Sequence, residues 1–221
     1  MMSRARAFSA VVFDLDGLMF NTEQIYERVG VELLGRRGLE CTRPLLDAMM
    51  GRPSAVAYQV MIDWHDLDDT IERLDVEGRE IFAGLLDEHL APMPGLVDLL
   101  ACLERAALPK AIATSSSRRY LERLLSRYEL EPRFCFTLTS DDVRQGKPHP
   151  EIYELAARHH GVAPGQMLVL EDSEAGATAA HRAGAFVVAV PGEPSREHDF
   201  SMADLVINGL GDARLYEALG L

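Results

Sequence analysis

Short apolar runs alternate with helical stretches along most of the chain. Residues 10–14 (AVVFD) form a run that ends in an acidic residue, with a glycine three positions on. Similar runs recur at 110–114 (KAIAT), 135–139 (CFTLT), 167–171 (MLVLE) and 186–190 (FVVAV), with a weaker sixth at 204–207 (DLVI). Continuous apolar character of this kind is expected of strands buried on both faces of a parallel sheet. Between the runs, helical patterns fall at roughly 95–106, 118–128, 150–160 and 174–183. Strand and helix alternating from residue 90 onward predicts βαβ units, hence an α/β fold with helices on both faces of a parallel sheet.

Residues 19–90 break this rhythm. They contain no convincing strand, and apolar residues recur at helical spacing, as in Ile25, Val29, Leu33 and Leu34, then Val56, Val60 and Met61. A helix over 79–90 is expected to close the segment, with Pro92 and Pro94 marking its exit. The expected organisation is a core of residues 1–18 and 91–221 with a helical insertion at 19–90.

Composition narrows the function classes. Of 221 residues, 48% are hydrophobic and 26% charged, which suits a soluble globular protein. A net charge of −13 argues against nucleic acid or an anionic membrane as partner, since both favour basic surfaces. It does not exclude a small anionic substrate, because a local cation overrides the global field. No segment reaches about 18 uninterrupted apolar residues, so no membrane span is expected. Asp14 and Asp16 interrupt the only N-terminal apolar run, which makes it a poor signal peptide. Cys41, Cys102 and Cys135 are odd in number and contain no CxxC pair; buried free thiols in a reducing cytoplasm are the expectation. The 22 basic residues comprise 20 arginines and only two lysines, Lys110 and Lys147.

Candidate chemistry sits at the carboxyl ends of the predicted strands, where open parallel sheets bind ligands. Asp14-Leu15-Asp16-Gly17 places two carboxylates at i and i+2, on one side of an extended chain. Thr114-Ser115-Ser116 offers hydroxyls and free N–H groups where a strand meets a helix, a suitable place for phosphate oxygens. Gly146-Lys147-Pro148 spends one of two lysines in a loop, and a lysine is a compact charge for phosphate. Glu171-Asp172 follows an apolar strand directly; two such acids are costly to bury unpaired, and a hard divalent cation with oxygen ligands resolves that cost. Each motif alone also has an ordinary reading, as an acidic turn, a helix cap or a solvated lysine. Their joint occurrence, in order, is what carries the argument.

The order FDLDG, ATS, GKPHPEIY and LEDSEAGATAAHRAGA resembles the four motifs of the haloacid dehalogenase-like superfamily, in the branch that includes β-phosphoglucomutase and phosphoglycolate phosphatase-like enzymes. The likeness spans nearly the whole chain. It implies a Rossmann-like parallel sheet core with a small helical cap domain inserted after the first strand. It implies Asp14 as nucleophile, Asp16 as general acid/base, and Thr114, Ser115 and Lys147 as phosphate binders. At magnesium it places Asp14, Glu171, Asp172 and the main-chain carbonyl of Asp16. The implied function is a Mg²⁺-dependent phosphatase acting on a small phosphorylated metabolite, sugar phosphates included, through an aspartyl-phosphate.

Departures from the pattern sort the members. Asp16 argues against dehalogenation, whose enzymes lack an acid there because halide needs no proton. No lysine lies between residues 1 and 109, which removes the Schiff-base lysine of the phosphonate hydrolases. β-Phosphoglucomutase has a cap histidine where this chain has Tyr26, and a tyrosine of ordinary pKa near 10 is no proton shuttle at neutral pH. A phosphatase is therefore favoured over a mutase. An inactive phospho-ligand-binding module is a further alternative, against which Asp16 argues, since a binder does not need it. Arg52 corresponds to the cap arginine that grips a distal anionic group; Tyr58 and Trp64 are further cap candidates. Asn21 replaces a commoner aspartate, and Thr22 is expected to cap the first cap helix.

Overall fold

The computed structural model of the chain describes residues 8–49, 54–193 and 195–221. Its elements are β1 (Ala10–Phe13), α1 (Thr22–Gly35), α2 (Arg43–Met49), α3 (Ser54–His65), α4 (Ile71–His89), α5 (Leu96–Arg105), β2 (Lys110–Ala113), α6 (Arg118–Arg127), β3 (Thr137–Leu138), α7 (Glu151–His160), β4 (Met167–Glu171), α8 (Glu174–Ala183), β5 (Phe186–Ala189), β6 (Leu205–Val206) and α9 (Ala213–Leu219). They divide into two compact units: residues 8–19 with Pro92–Leu221, and Phe20–Ala91.

The first unit is built on a six-stranded sheet in the order β3-β2-β1-β4-β5-β6, and every pairing is parallel. From β1 the chain winds outward through β2 and β3, then returns to the other side of β1 for β4, β5 and β6. The order therefore reverses at β1, and a crevice opens beyond the carboxyl ends of β1, β2 and β4. All residues of β1, β2 and β4 are buried, as strands covered on both faces must be.

One face of the sheet is unusually small. Ala10, Ala111, Ala113 and Ala189 pack there with Ala156 and Ala157 of α7 and Ala177, Ala179 and Ala180 of α8. Such side chains let helix and sheet approach closely, which brings the first turn of α8 up to the end of β4. Val11, Phe13, Leu168 and Leu170 alternate to the other face and are also buried. Phe13 meets Phe134 edge to face there at 5.9 Å. The stripe Leu96, Leu99, Leu100 and Leu103 gives α5 its buried side. Gly95, just before α5, has φ +85, and a Cβ there would lie 2.8 Å from the Gly211 nitrogen, so glycine is required.

The three cysteines are free, but they are not buried thiols: Cys41 and Cys102 are half-buried and Cys135 is exposed. Phe134 and Phe136 on either side of Cys135 fill the inward positions and leave it facing out.

The second unit contains α1 to α4 and, among its described residues, no strand. Val29, Leu33, Leu34, Leu45, Met61, Leu74 and Ile81 form its core. Arg37 fastens α1 to the start of α4, donating to Asp69 at 2.6 Å and Glu77 at 2.8 Å. Two local expectations are corrected. The closing helix begins at Ile71, not near 79, because Thr70 caps it by accepting from Arg73 N–H at 3.3 Å. Gly78 does not break it; the Tyr58 hydroxyl fills the space a Cβ would take. Tyr58 is thus packing of the helical core. Thr22 is the first helical residue, not the cap. Asn21 stands at the cap position, but its side chain donates to His89 O at 3.0 Å and accepts from Ala91 N–H at 2.7 Å.

Candidate active site

The strand ends place the polar residues. Asp14 directly follows β1, and its N–H donates to Leu170 O at 3.0 Å, extending the β1–β4 ladder by one residue. Thr114 does the same after β2, donating to Leu138 O at 3.0 Å. Glu171 is the last residue of β4, and Asp172 begins the turn into α8. One ligand oxygen from each of Asp14, Glu171 and Asp172 lies within 4.8 Å of the others, and all three residues are buried.

Lys147 enters from the loop before α7 and uses all three of its N–H donors. They reach Asp14 Oδ1 at 2.5 Å, Glu171 Oε1 at 2.6 Å and Ala113 O at 3.0 Å. Its ammonium also lies 5.1 Å from the Tyr153 ring centroid. Tyr153 is fully buried on α7 and donates its hydroxyl to Glu171 Oε1. Ser173 Oγ donates to Glu171 Oε2 at 3.0 Å and, as the N-cap of α8, accepts from Gly176 N–H at 3.1 Å. A Cβ at Gly176 would collide with the Glu171 carboxylate, so the small residue keeps that carboxylate's place open.

Asp14 and Glu171 share the single Lys147 ammonium, and Asp172 offers an oxygen within 4.8 Å of both carboxylates. Burial pushes the Asp14 carboxyl up to about 8; Lys147 opposes the rise, and Glu171 and Asp16 add to it. Burial works against the charge on Lys147, but Asp14 and Glu171 outweigh it and hold its pKa well above the ordinary lysine value. Asp14, Glu171 and Asp172 gather oxygen ligands, and only oxygen ligands, in one buried place. Those are the requirements of a hard divalent cation, so Asp14, Glu171 and Asp172 fit Mg²⁺.

The remaining expected residues are spread more widely. Thr114 is buried, and its Oγ1 accepts from Ser116 N–H at 3.0 Å. Ser115 is exposed. Asp16 turns its carboxylate to α6 and the loop before it, where Ser116 Oγ donates to Oδ2 at 2.7 Å and Tyr120 OH to Oδ1 at 3.0 Å. In the helical unit, Tyr26 stacks on Phe82 at 4.5 Å and Trp64 is half exposed. Arg52 lies outside the described residues. Sequence reasoning did not find Tyr120, Tyr153 or Gly176. Tyr153 sits in the GKPHPEIY motif, which was the available signal for it. Tyr120 had none beyond its place in the first turn of a helix after a phosphate-type loop.

Comparison with known proteins identifies the family and the fold. The family model described as haloacid dehalogenase-like hydrolase matches residues 11–190. A bifunctional riboflavin kinase/FMN phosphatase of Arabidopsis thaliana is 31% identical over 94% of this chain, which spans only 55% of that protein. A phosphorylated carbohydrates phosphatase of Thermotoga maritima is 32% identical over 79% of this chain and 81% of its own length. The crystal structure of a family hydrolase from Deinococcus radiodurans, with bound phosphate and sodium, superposes with a TM-score of 0.82 at 29% identity, covering 96% of this chain and 97% of that one. The chain belongs to the haloacid dehalogenase-like hydrolase family, in the branch of its phosphatases and β-phosphoglucomutase.

Proposed function

We propose that this protein is a Mg²⁺-dependent phosphatase that hydrolyses a small phosphate monoester through an aspartyl-phosphate on Asp14. The observation that carries the reading is the buried cluster of Asp14, Glu171 and Asp172 around Lys147 at the sheet's switch point. The phosphorylated-carbohydrate relative supports a sugar phosphate as substrate class.

Asp14 would attack phosphorus in line, and Asp16 would give its proton to the departing ester oxygen. Asp16 would then take a proton from the water that hydrolyses the intermediate. Lys147, Thr114 and the N–H and hydroxyl of Ser115 would stabilise charge on the equatorial oxygens. Asp14, Glu171, Asp172 and the Asp16 carbonyl would hold Mg²⁺, which would supply positive charge to offset repulsion between the Asp14 carboxylate and an anionic phosphoryl group. We assign residues 19–90 as the cap that selects the leaving group, with Tyr26 and Arg52 as its specificity residues. With tyrosine at position 26, water is the expected phosphoryl acceptor, not a sugar hydroxyl.

The test is phosphate release from p-nitrophenyl phosphate and a panel of sugar phosphates. EDTA should abolish it and excess Mg²⁺ restore it. Full turnover in metal-free buffer would overturn the reading, as would conversion of a sugar phosphate to its isomer faster than phosphate release.

A further inference from the structure

Asp16 is held by a pair of hydroxyls on one rigid platform. Ser116 Oγ reaches Oδ2 at 2.7 Å and Tyr120 OH reaches Oδ1 at 3.0 Å, so each carboxylate oxygen has its own donor. Ser116 lies in the loop after β2, and Tyr120 in the first turn of α6. That turn is anchored independently of Asp16. Arg118 N–H donates to Asp141 Oδ2 at 3.0 Å, and Arg118 Nη2 reaches Asp142 Oδ2 at 2.6 Å and Thr137 O at 3.1 Å. Ser140 N–H and Oγ both bond Ser116 O, at 3.1 and 3.2 Å. Two donors on a fixed frame define the plane of the carboxylate they hold. One donor alone would leave it free to swing about its last torsion.

We infer that Tyr120 is a positioning residue for Asp16, setting the direction in which that carboxyl presents its proton. The inference rests on the phosphatase reading above. In the first half of that reaction the Asp14 oxygen bonds phosphorus and the phosphorus–ester bond breaks. The bonding pair leaves on the ester oxygen, which takes the Asp16 proton. In the second half a water oxygen bonds phosphorus, the bond to Asp14 breaks, and the water proton passes to Asp16. Tyr120 exchanges no atom in either half. Its contribution is alignment, where small displacements cost on the order of 100-fold in rate.

The value of an aligned acid depends on how badly the leaving group needs a proton, and a merely structural role does not share that dependence. The experiment compares wild type with Tyr120→Phe, which keeps the ring and removes only the hydroxyl, across alkyl and aryl phosphates of graded leaving-group pKa. The second-order constant kcat/KM reads transfer to Asp14. For alkyl phosphates it should fall about 10- to 100-fold. For p-nitrophenyl phosphate, whose phenolate leaves without a proton, it should fall by less than about threefold, steepening the leaving-group dependence. Inhibition by inorganic phosphate and the thermal midpoint should stay near wild type. Asp16→Asn should steepen the same dependence, and adding Tyr120→Phe to it should cost little more. Tyr120→Leu serves as a second variant and should give the same signature. If wild type releases phosphate but the Tyr120 variants lose activity equally across the series, or not at all, the inference fails while the phosphatase reading stands. If wild type releases no phosphate from any ester, that reading fails first.

Discussion

A tyrosine buried as deeply as Tyr153 needs a partner for its hydroxyl, and it finds one in Glu171. The same Glu171 oxygen takes Lys147, and the other takes Ser173. Tyr153 therefore helps hold a carboxylate that also belongs to the three-carboxylate cluster proposed to bind Mg²⁺. Such supporting groups affect metal affinity, typically by about 10- to 100-fold when removed. Tyr153→Phe keeps the ring beneath Lys147 and should fold. Its affinity for Mn²⁺, titrated by calorimetry or electron paramagnetic resonance, should drop by that order; an unchanged affinity would show that Ser173 and Lys147 suffice. At this scale the sequence announced the residues whose chemistry does not depend on rotamer. Asp14, Lys147, Glu171 and Asp172 are strand-end or loop acids and a rare lysine, and they come together. Tyr120 and Tyr153 escaped because a tyrosine at helical spacing reads as packing until its hydroxyl is located. Ser116 read as a phosphate donor, yet its hydroxyl is turned to Asp16.

Elements carry their own electrostatics. Glu104, near the end of α5, receives Arg133 through two N–H donors at 2.8 Å each and Lys110 at 3.1 Å. This ties α5 to the buried start of β2 and to the turn before β3. Arg133's donors, then Lys110, outweigh partial burial and lower the Glu104 carboxyl from 4.5 to about 2. A folded value below the unfolded one means the stabilisation is fully present above pH 4.5 and disappears as pH falls through about 2. Thermal midpoints of wild type and Glu104→Gln should therefore converge as pH is lowered across that window. A gap that stays constant with pH would refute the linkage. Element types were readable because buried parallel strands are short continuous apolar runs. Their lengths were less so at the edges. The runs at 135–139 and 204–207 shorten to two-residue β3 and β6, each of which pairs with a single neighbour. The start of α4 was missed because its first turns hold few apolar residues and a glycine, and its packing is against α1 and α3, far from it in sequence.

For the molecule as a whole, topology gathers the candidate residues at one crevice. Strand order reverses at β1, so Asp14, Thr114 and Glu171 reach the same edge of the sheet from segments far apart in sequence. The chain carries a net charge of −13, so its overall field repels an anionic substrate and the attraction must be local. Both lysines are buried, Lys147 in the acidic cluster and Lys110 against Glu104. Among the described residues no helix is long and apolar enough to cross a membrane. The fold class was legible from the strand and helix rhythm. Substrate choice was not, because exposed aromatics such as Tyr26 and Trp64 do not by their identity name a ligand. The central claim is that Asp14 carries the phosphoryl group. The most direct test is acid quenching during turnover, followed by peptide mass spectrometry. A phosphoryl group on the peptide bearing Asp14, accumulating further in Asp16→Asn and absent together with turnover in Asp14→Asn, is the predicted result. Phosphate release with no phosphoryl on that peptide at any quench time, or sustained turnover by Asp14→Asn, would contradict it.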